Sequence, residues 1–238
     1  MYLIKTPWWL KKIYPQLIWH KARSNKTIFL TFDDGPIPIV TPWVIKTLKS
    51  YHAKATFFCI GDNINKHPDI FLQLKADEHA IGNHTYNHLN GWKTANNAYI
   101  NNVNKCQHLT QTHLFRPPYG RIKKSQIFDI QKLQSENLKD IGQNLNPVFN
   151  QTETLHTPFE ISEIANQKAQ IIMWDVLSGD FDTTLSPQKC LKNVLKHTQN
   201  GSIVVFHDSL KAWERLRYVL PKALNYWQKK GYSFEIIK

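Results

Sequence analysis

The stretch TIFLTFDDGP, Thr27 to Pro36, decides the fold. Its first part, TIFLTF, is apolar or β-branched throughout, with no polar alternation. A strand of that kind is covered on both faces, as parallel strands under helices are. The run closes on two adjacent aspartates and a Gly-Pro pair, which is turn chemistry. On its own, DDGP reads about equally well as a plain turn. Adjacent like charges repel, however, so a strand end gains nothing from two acids unless each meets its own partner.

Working outward, further short apolar runs read as buried strands: ATFFCI (55–60), HAIGN (79–83), QIIMWDV (170–176), SIVVFH (202–207) and YSFEII (232–237). A short LF before Arg116 closes another. Helical patterns alternate with them at 41–52, 67–78, 94–109, 186–197 and 211–230. Thr41-Pro42 and Ser186-Pro187 read as a cap followed by a first-turn proline. Pro221 is expected to kink or split the last helix. This alternation predicts a parallel sheet or a (β/α) barrel. Residues 131–168 break the pattern. They are polar, rich in Asn and Gln, and read as a long, partly irregular insertion.

The chain of 238 residues suits one large α/β domain, and no Gly/Ser- or Pro-rich linker divides it. The net charge of +12 is spread along the chain rather than gathered in a block. It favours an anionic partner or surface. No helix-turn-helix, zinc-finger or RNP-like motif accompanies it, so nucleic acid is not the expected partner. Cys59, Cys106 and Cys190 are widely spaced, which argues against a disulfide scaffold and weakly for a reducing compartment. Residues 1–26 form an aromatic and basic segment. Lysines and Pro15 interrupt it, so it is neither a signal peptide nor a membrane span. Its aromatics are expected to pack on the domain, with peripheral membrane contact through residues 8–19 as the alternative. A cytoplasmic location follows as the expectation.

Reactive groups of parallel α/β sheets gather at the C-terminal strand ends. Asp33 and Asp34, His84 and His88, Arg116, Asp175 and Asp180, and His207 all follow predicted strands. Taken singly each signal is weak. In HTYNH two imidazoles stand four apart, right for one metal if the segment turns helically. With 11 histidines, chance supplies roughly half such a pair, and surface histidines are the plain alternative. RPPYG reads as a rigid turn, and His207 as a core histidine bonded to Asp208 or Ser209. The convergence of all of them is the stronger signal.

In order, TFDDGP, HTYNH, RPPYG, WDVLSGDF and VVFHDS resemble the polysaccharide deacetylase family, also called the NodB-homology domain or carbohydrate esterase family 4. The resemblance runs from about Thr27 to the C-terminus. It implies a single-domain, distorted (β/α) barrel of about seven parallel strands. It implies Asp33 as general base, Asp34, His84 and His88 as metal ligands, and Arg116 as the partner of the base. His207 is implied as general acid, oriented by Asp180. Pro118, Tyr119, Val205, Phe181 and Trp174 stand on the substrate side, with the Tyr119 N–H toward the oxyanion and Val205 toward the acetyl methyl. Phe181 replaces the family's usual Trp and Val205 its usual Leu. Both changes bear on the shape of the sugar groove.

The implied activity is removal of acetyl groups from N-acetylated sugars, with O-acetyl ester cleavage or non-catalytic glycan or metal binding as alternatives. One carboxylate and two imidazoles suit Zn2+, and Co2+, Ni2+ or Fe2+ fit the same donors. The implied partner is an acetylated carbohydrate.

Overall fold

The computed structural model describes residues 2–132 and 169–238, so most of the 131–168 insertion lies outside the described residues. Eight strands occur among them: β1 (Thr27–Asp33), β2 (Thr56–Cys59), β3 (Ala80–Asn83), β4 (Leu114–Phe115), β5 (Gln170–Ile171), β6 (Val176–Leu177), β7 (Ile203–His207) and β8 (Ser233–Phe234). Seven follow the path β5-β4-β3-β2-β1-β7-β6, and β8 pairs with the start of β1. Every pairing is parallel. β5 and β6 are opposite edges of this path, yet only residues 172–175 join them. The sheet therefore curls back on itself, the expected barrel-like architecture.

β1 is buried along its whole length, as its unbroken apolar run requires. Phe32 stacks between Phe57 and Phe206 at centroid distances of 5.0 and 5.8 Å, locking β1 against β2 and β7. Register then sets the site. Asp33 pairs with Phe58 on one side and His207 on the other, so both titratable groups leave the sheet at one level.

The N-terminal segment completes the curl. Ile18 bridges Ile172, Lys5 bridges Val176, and His20 bridges Ser202. Thr6 N–H donates to Asp175 O at 3.0 Å, Leu177 N–H to Ile4 O at 2.8 Å, and Met173 N–H to Ile18 O at 2.7 Å. These bonds satisfy edge groups of the 170–177 stretch that a bare strand would leave to solvent. Leu17 and Trp19 are buried, whereas Trp8 and Trp9 are exposed.

Several local expectations change. The run 170–176 is not one ladder but two short strands, because its first half pairs with β4 and its second with β7. The tail 232–237 forms only the short β8. Thr41 is not a cap: the helix Val40–Ser50 starts after Ile39. The Thr41 hydroxyl instead accepts from Ile37 N–H and donates to Asp208. Pro42 still falls in the first turn, where no donor is lost. Ser186 does cap the helix Pro187–His197, accepting from Lys189 N–H. Pro221 sits inside the continuous helix Trp213–Lys229. That helix buries Leu216, Val219, Leu220, Ala223, Leu224 and Trp227, and this packing outweighs the lost backbone bond. A short helix, Gly61–Lys66, was not expected. All three cysteines are free and buried.

Candidate active site

Arg116 is the hub. It follows β4 and is fully buried. Its Nε donates to Ile172 O at 3.1 Å and its Nη2 to Met173 O at 3.0 Å. Its Nη1 reaches Thr31 Oγ1 and Asp33 Oδ1, both at 2.7 Å. The guanidinium also lies 4.0 Å from the Phe58 ring centroid. A guanidinium so fixed from several sides holds the Asp33 carboxylate in one orientation. Asp33 itself is buried at the end of β1.

Asp34 points elsewhere. Its φ is +86°, so the chain turns sharply and the second carboxylate leaves the direction of the first. Asp34 Oδ1 lies 3.3 Å from His88 Nε2 and 3.9 Å from His84 Nε2. One donor atom from each of the three residues falls within 4.8 Å of the others. It is the only such group found among the described residues. His84 Nδ1 lies 2.8 Å from Arg116 O, which can only accept. Nδ1 therefore carries the hydrogen, and Nε2 presents a lone pair toward Asp34. Burial lowers the His84 pKa to about 4, keeping the ring neutral. Burial would raise the Asp34 pKa, but the His88 contact and the neighbouring imidazoles hold it below the usual carboxylate range. His88 Nδ1 meets the Tyr119 hydroxyl at 3.1 Å.

HTYNH is not helical, contrary to the geometry its spacing suggested. It is a bend in which Thr85 and His88 have positive φ, 65° and 55°. Asn83 Oδ1 and Asn102 Oδ1 accept the N–H groups of Thr85, Tyr86 and Asn87, which replaces the missing helical bonds. The bend brings the two imidazole centroids within 5.1 Å.

On the other flank, both Asp180 oxygens grip His207. Oδ2 accepts its N–H and Oδ1 lies 2.8 Å from Nδ1. Burial would lower the His207 pKa, but Asp180 overrides it and raises the value to about 9. Asp180 bonds His207, where Asp208 or Ser209 had been the alternatives. Phe181 packs edge-on against His207 at 5.1 Å, and Tyr2 lies 4.9 Å beyond it, anchored through its hydroxyl to Asp182.

Of the remaining candidates, Pro118 is buried and Tyr119 is exposed, with φ +60°. Val205 is buried in β7 two residues before His207, on the same face of the strand. The Trp174 ring lies over Gly120, where an added Cβ would fall 2.5 Å from it. Asp175 does not join the cluster. It sits at the start of β7, bonded to Ser202 Oγ, while His207 ends that strand.

The sequence reading missed two supports. Buried Asp208 accepts from Gly35 N–H at 3.1 Å and Thr41 Oγ1 at 2.6 Å, while its N–H donates to Asp33 O. An added Cβ at Gly35 would fall 2.0 Å from its Oδ2, so only glycine fits in the TFDDGP turn. Burial raises the Asp208 pKa to about 8. Arg215, also buried, donates from Nε to Asp180 O at 2.7 Å. Only the adjacency of Asp208 to His207 signalled either residue.

A parallel α/β barrel with one dense cluster of titratable side chains at the C-terminal ends of its strands is the class these features define. Residues 20–138 match the family model described as polysaccharide deacetylase. The chain belongs to that family. It is 41% identical over 236 residues to a chitooligosaccharide deacetylase of Azorhizobium caulinodans, covering 90% of this chain and 94% of that protein. It is 28% identical over 222 residues to a peptidoglycan-N-acetylglucosamine deacetylase of Bacillus cereus, covering 91% and 88%. Its structure resembles that of a peptidoglycan N-acetylglucosamine deacetylase crystallised with 4-naphthalen-1-yl-N-oxidanyl-benzamide. There the TM-score is 0.70 at 25% identity, over 98% of this chain and 95% of the other.

Proposed function

We propose that this protein is a metal-dependent hydrolase that removes the acetyl group from N-acetylglucosamine units of a glycan or oligosaccharide. One observation carries the reading. The Asp34–His84–His88 cluster lies between an arginine-held carboxylate, Asp33, and an aspartate-held imidazole, His207. The donor chemistry fits a divalent cation. His84 Nε2 offers a lone pair beside an ionised carboxylate, and His88 Nε2 stands within reach of the same oxygen. One carboxylate with two imidazoles suits zinc, and cobalt, nickel or iron(II) would be held by the same atoms.

A bound divalent cation supplies Lewis acidity toward water and toward an amide carbonyl. The chain's own groups divide the proton work. Asp33, fixed by Arg116, takes the proton of the attacking water. His207, charged when Asp180 holds Nδ1–H, gives the Nε2 proton to the departing amine. Val205 and Trp174 are assigned to the acetyl and sugar sides, and the Tyr119 N–H to the developing oxyanion. Phe181 stands where the family usually has Trp, and it keeps contact with His207. Arg215 and Asp208 touch no substrate in this scheme; they position Asp180 and the TFDDGP turn.

The test is acetate release after metal reconstitution, from N-acetyl-chitooligosaccharides beside O-acetylated xylan. Amide substrates should be cleaved, and only with metal. Metal-independent release, or cleavage of the ester alone, overturns the proposal.

A further inference from the structure

Beside the candidate site, two loops run together as a ladder. The first rung is His88 against Tyr119, 4.6 Å between ring centroids. The next is Gly91 N–H on Arg121 O at 3.2 Å. The last is Trp92, whose Nε1–H donates to Ile122 O at 3.0 Å while the Arg121 guanidinium lies 4.1 Å from its ring. Further bonds fasten the pair. Gln126 Nε2 donates to Gly91 O at 2.9 Å, Lys123 Nζ donates to Thr94 O at 2.8 Å, and Asn90 Oδ1 accepts from Trp92 N–H.

Trp92 is nonetheless 54% exposed and Tyr119 61%. An exposed tryptophan usually has a mobile ring or a partner. Here the ring is pinned at its only donor and backed by a cation, so little entropy remains to be lost on binding. A rigid, exposed aromatic plane whose other face is held by Arg121 suits the C–H face of a pyranose. The ladder ties this plane to the metal-ligand candidate His88: Trp92 follows His88 on one loop, and Arg121 follows Tyr119, whose ring meets His88, on the other.

We infer that Trp92, backed by Arg121, forms a saccharide subsite next to the deacetylation centre and carries affinity for a sugar unit beside the one that is deacetylated. The inference rests on the function proposed above. It is read from KM and kcat for N-acetyl-chitooligosaccharides of one to five units. Trp92→Ala should raise KM for the tetramer about tenfold, a loss of ~1.4 kcal/mol. It should leave kcat and the monomer within twofold, and Trp92→Phe should restore most of the affinity. An unchanged tetramer KM, or an equal loss on the monomer, overturns the subsite. Calorimetry of the zinc-loaded proteins with the tetramer keeps the two claims separate. If the wild type releases no acetate, the proposed activity fails. The subsite then stands only if Trp92→Ala still weakens tetramer binding, and falls if it does not.

Discussion

Two clusters, each built on an aspartate among basic side chains, sit at opposite ends of β7, one around the buried Asp175 and one around the half-buried Asp34. At the far end Asp175 is saturated. Lys5 Nζ and Ser202 Oγ each donate to its Oδ2 at 2.6 Å, Lys11 Nζ donates to Oδ1 at 2.6 Å, and Arg23 adds a bond at 3.2 Å. Every partner there is a donor with hydrogens to give. At the near end Asp34 faces two imidazoles, His88 Nε2 at 3.3 Å and His84 Nε2 at 3.9 Å, and His84 has no hydrogen to give there, since its ring hydrogen is spent on Arg116 O. Counting charges does not separate the two clusters; following the hydrogens does. Asp175 is a finished ion cluster that clamps the N-terminal segment. Asp34 belongs to the set of donor atoms proposed above to hold a cation.

The largest test of this contrast is Asp34→Ala or His84→Ala. Calorimetric zinc affinity should fall by more than about 100-fold, beyond the loss expected from removing an outer partner of a ligand, and acetate release should vanish with it. Unchanged zinc affinity in either variant would sink the metal assignment. Asp33→Asn should separate binding from rate. Zinc affinity stays within a few-fold, while kcat falls by roughly 10²–10⁴, the usual share of a general base. Wild-type turnover in that variant refutes the role given to Asp33.

Asp175→Asn should do the reverse. Breaking a buried ion cluster costs about 3–5 kcal/mol, and the partial exposure of Lys5 and Arg23 places this one toward the lower end. For a chain of this size, that is a melting temperature lower by roughly 6–12 °C. Zinc affinity should not move. Lys11, Lys5 and Ser202 hold the Asp175 pKa below the usual range against the opposing effect of burial. A depressed acid stabilises above its unfolded pKa of about 4 and loses that contribution as pH falls, so Asp175→Asn should flatten the acid limb of the stability curve. If Asp175→Asn weakened zinc as Asp34→Ala does, the two clusters would not be distinct.

The sequence shows one of these clusters far better than the other. β1 and β7 are legible because both faces are buried, and the apolar runs say so without knowledge of the partner strand. The acids and imidazoles at their ends stand out as exceptions to those runs. β4, β5 and β6 are each two residues long, too short to carry a period. The helix Gly61–Lys66 buries only Gly61 and Ile64, so it shows no stripe. HTYNH has helical spacing but no helix, because asparagine side chains hold its turn; spacing shows that two ligands can meet, not by which backbone. Asp175 resembles Asp180 in sequence, and only its pairing with Lys5, Lys11 and Arg23 reveals that it belongs to the opposite end. The partners of Asp208 and Arg215 lie on other elements, so nothing local marks them.

The smallest effect should fall on His207, where the contrast turns on one proton. In the metal-free protein Asp180 holds the His207 pKa near 9 against the opposing effect of burial. A raised imidazole pKa stabilises the fold fully below the unfolded value of about 6.5, and that contribution is lost as pH climbs toward 9. Asp180→Asn removes the charge and leaves burial to act, so an NMR titration should find the His207 pKa lower by more than about one unit. Activity should follow in the same direction. His207 must be charged to act as the acid, so the alkaline limb of kcat/KM should move to lower pH in Asp180→Asn. A bound dication also disfavours the imidazolium, which places that limb below 9 in the loaded wild type while leaving the direction of the Asp180 effect unchanged. An alkaline limb that stays put in Asp180→Asn, while the NMR pKa falls, would mean that His207 is not the acid.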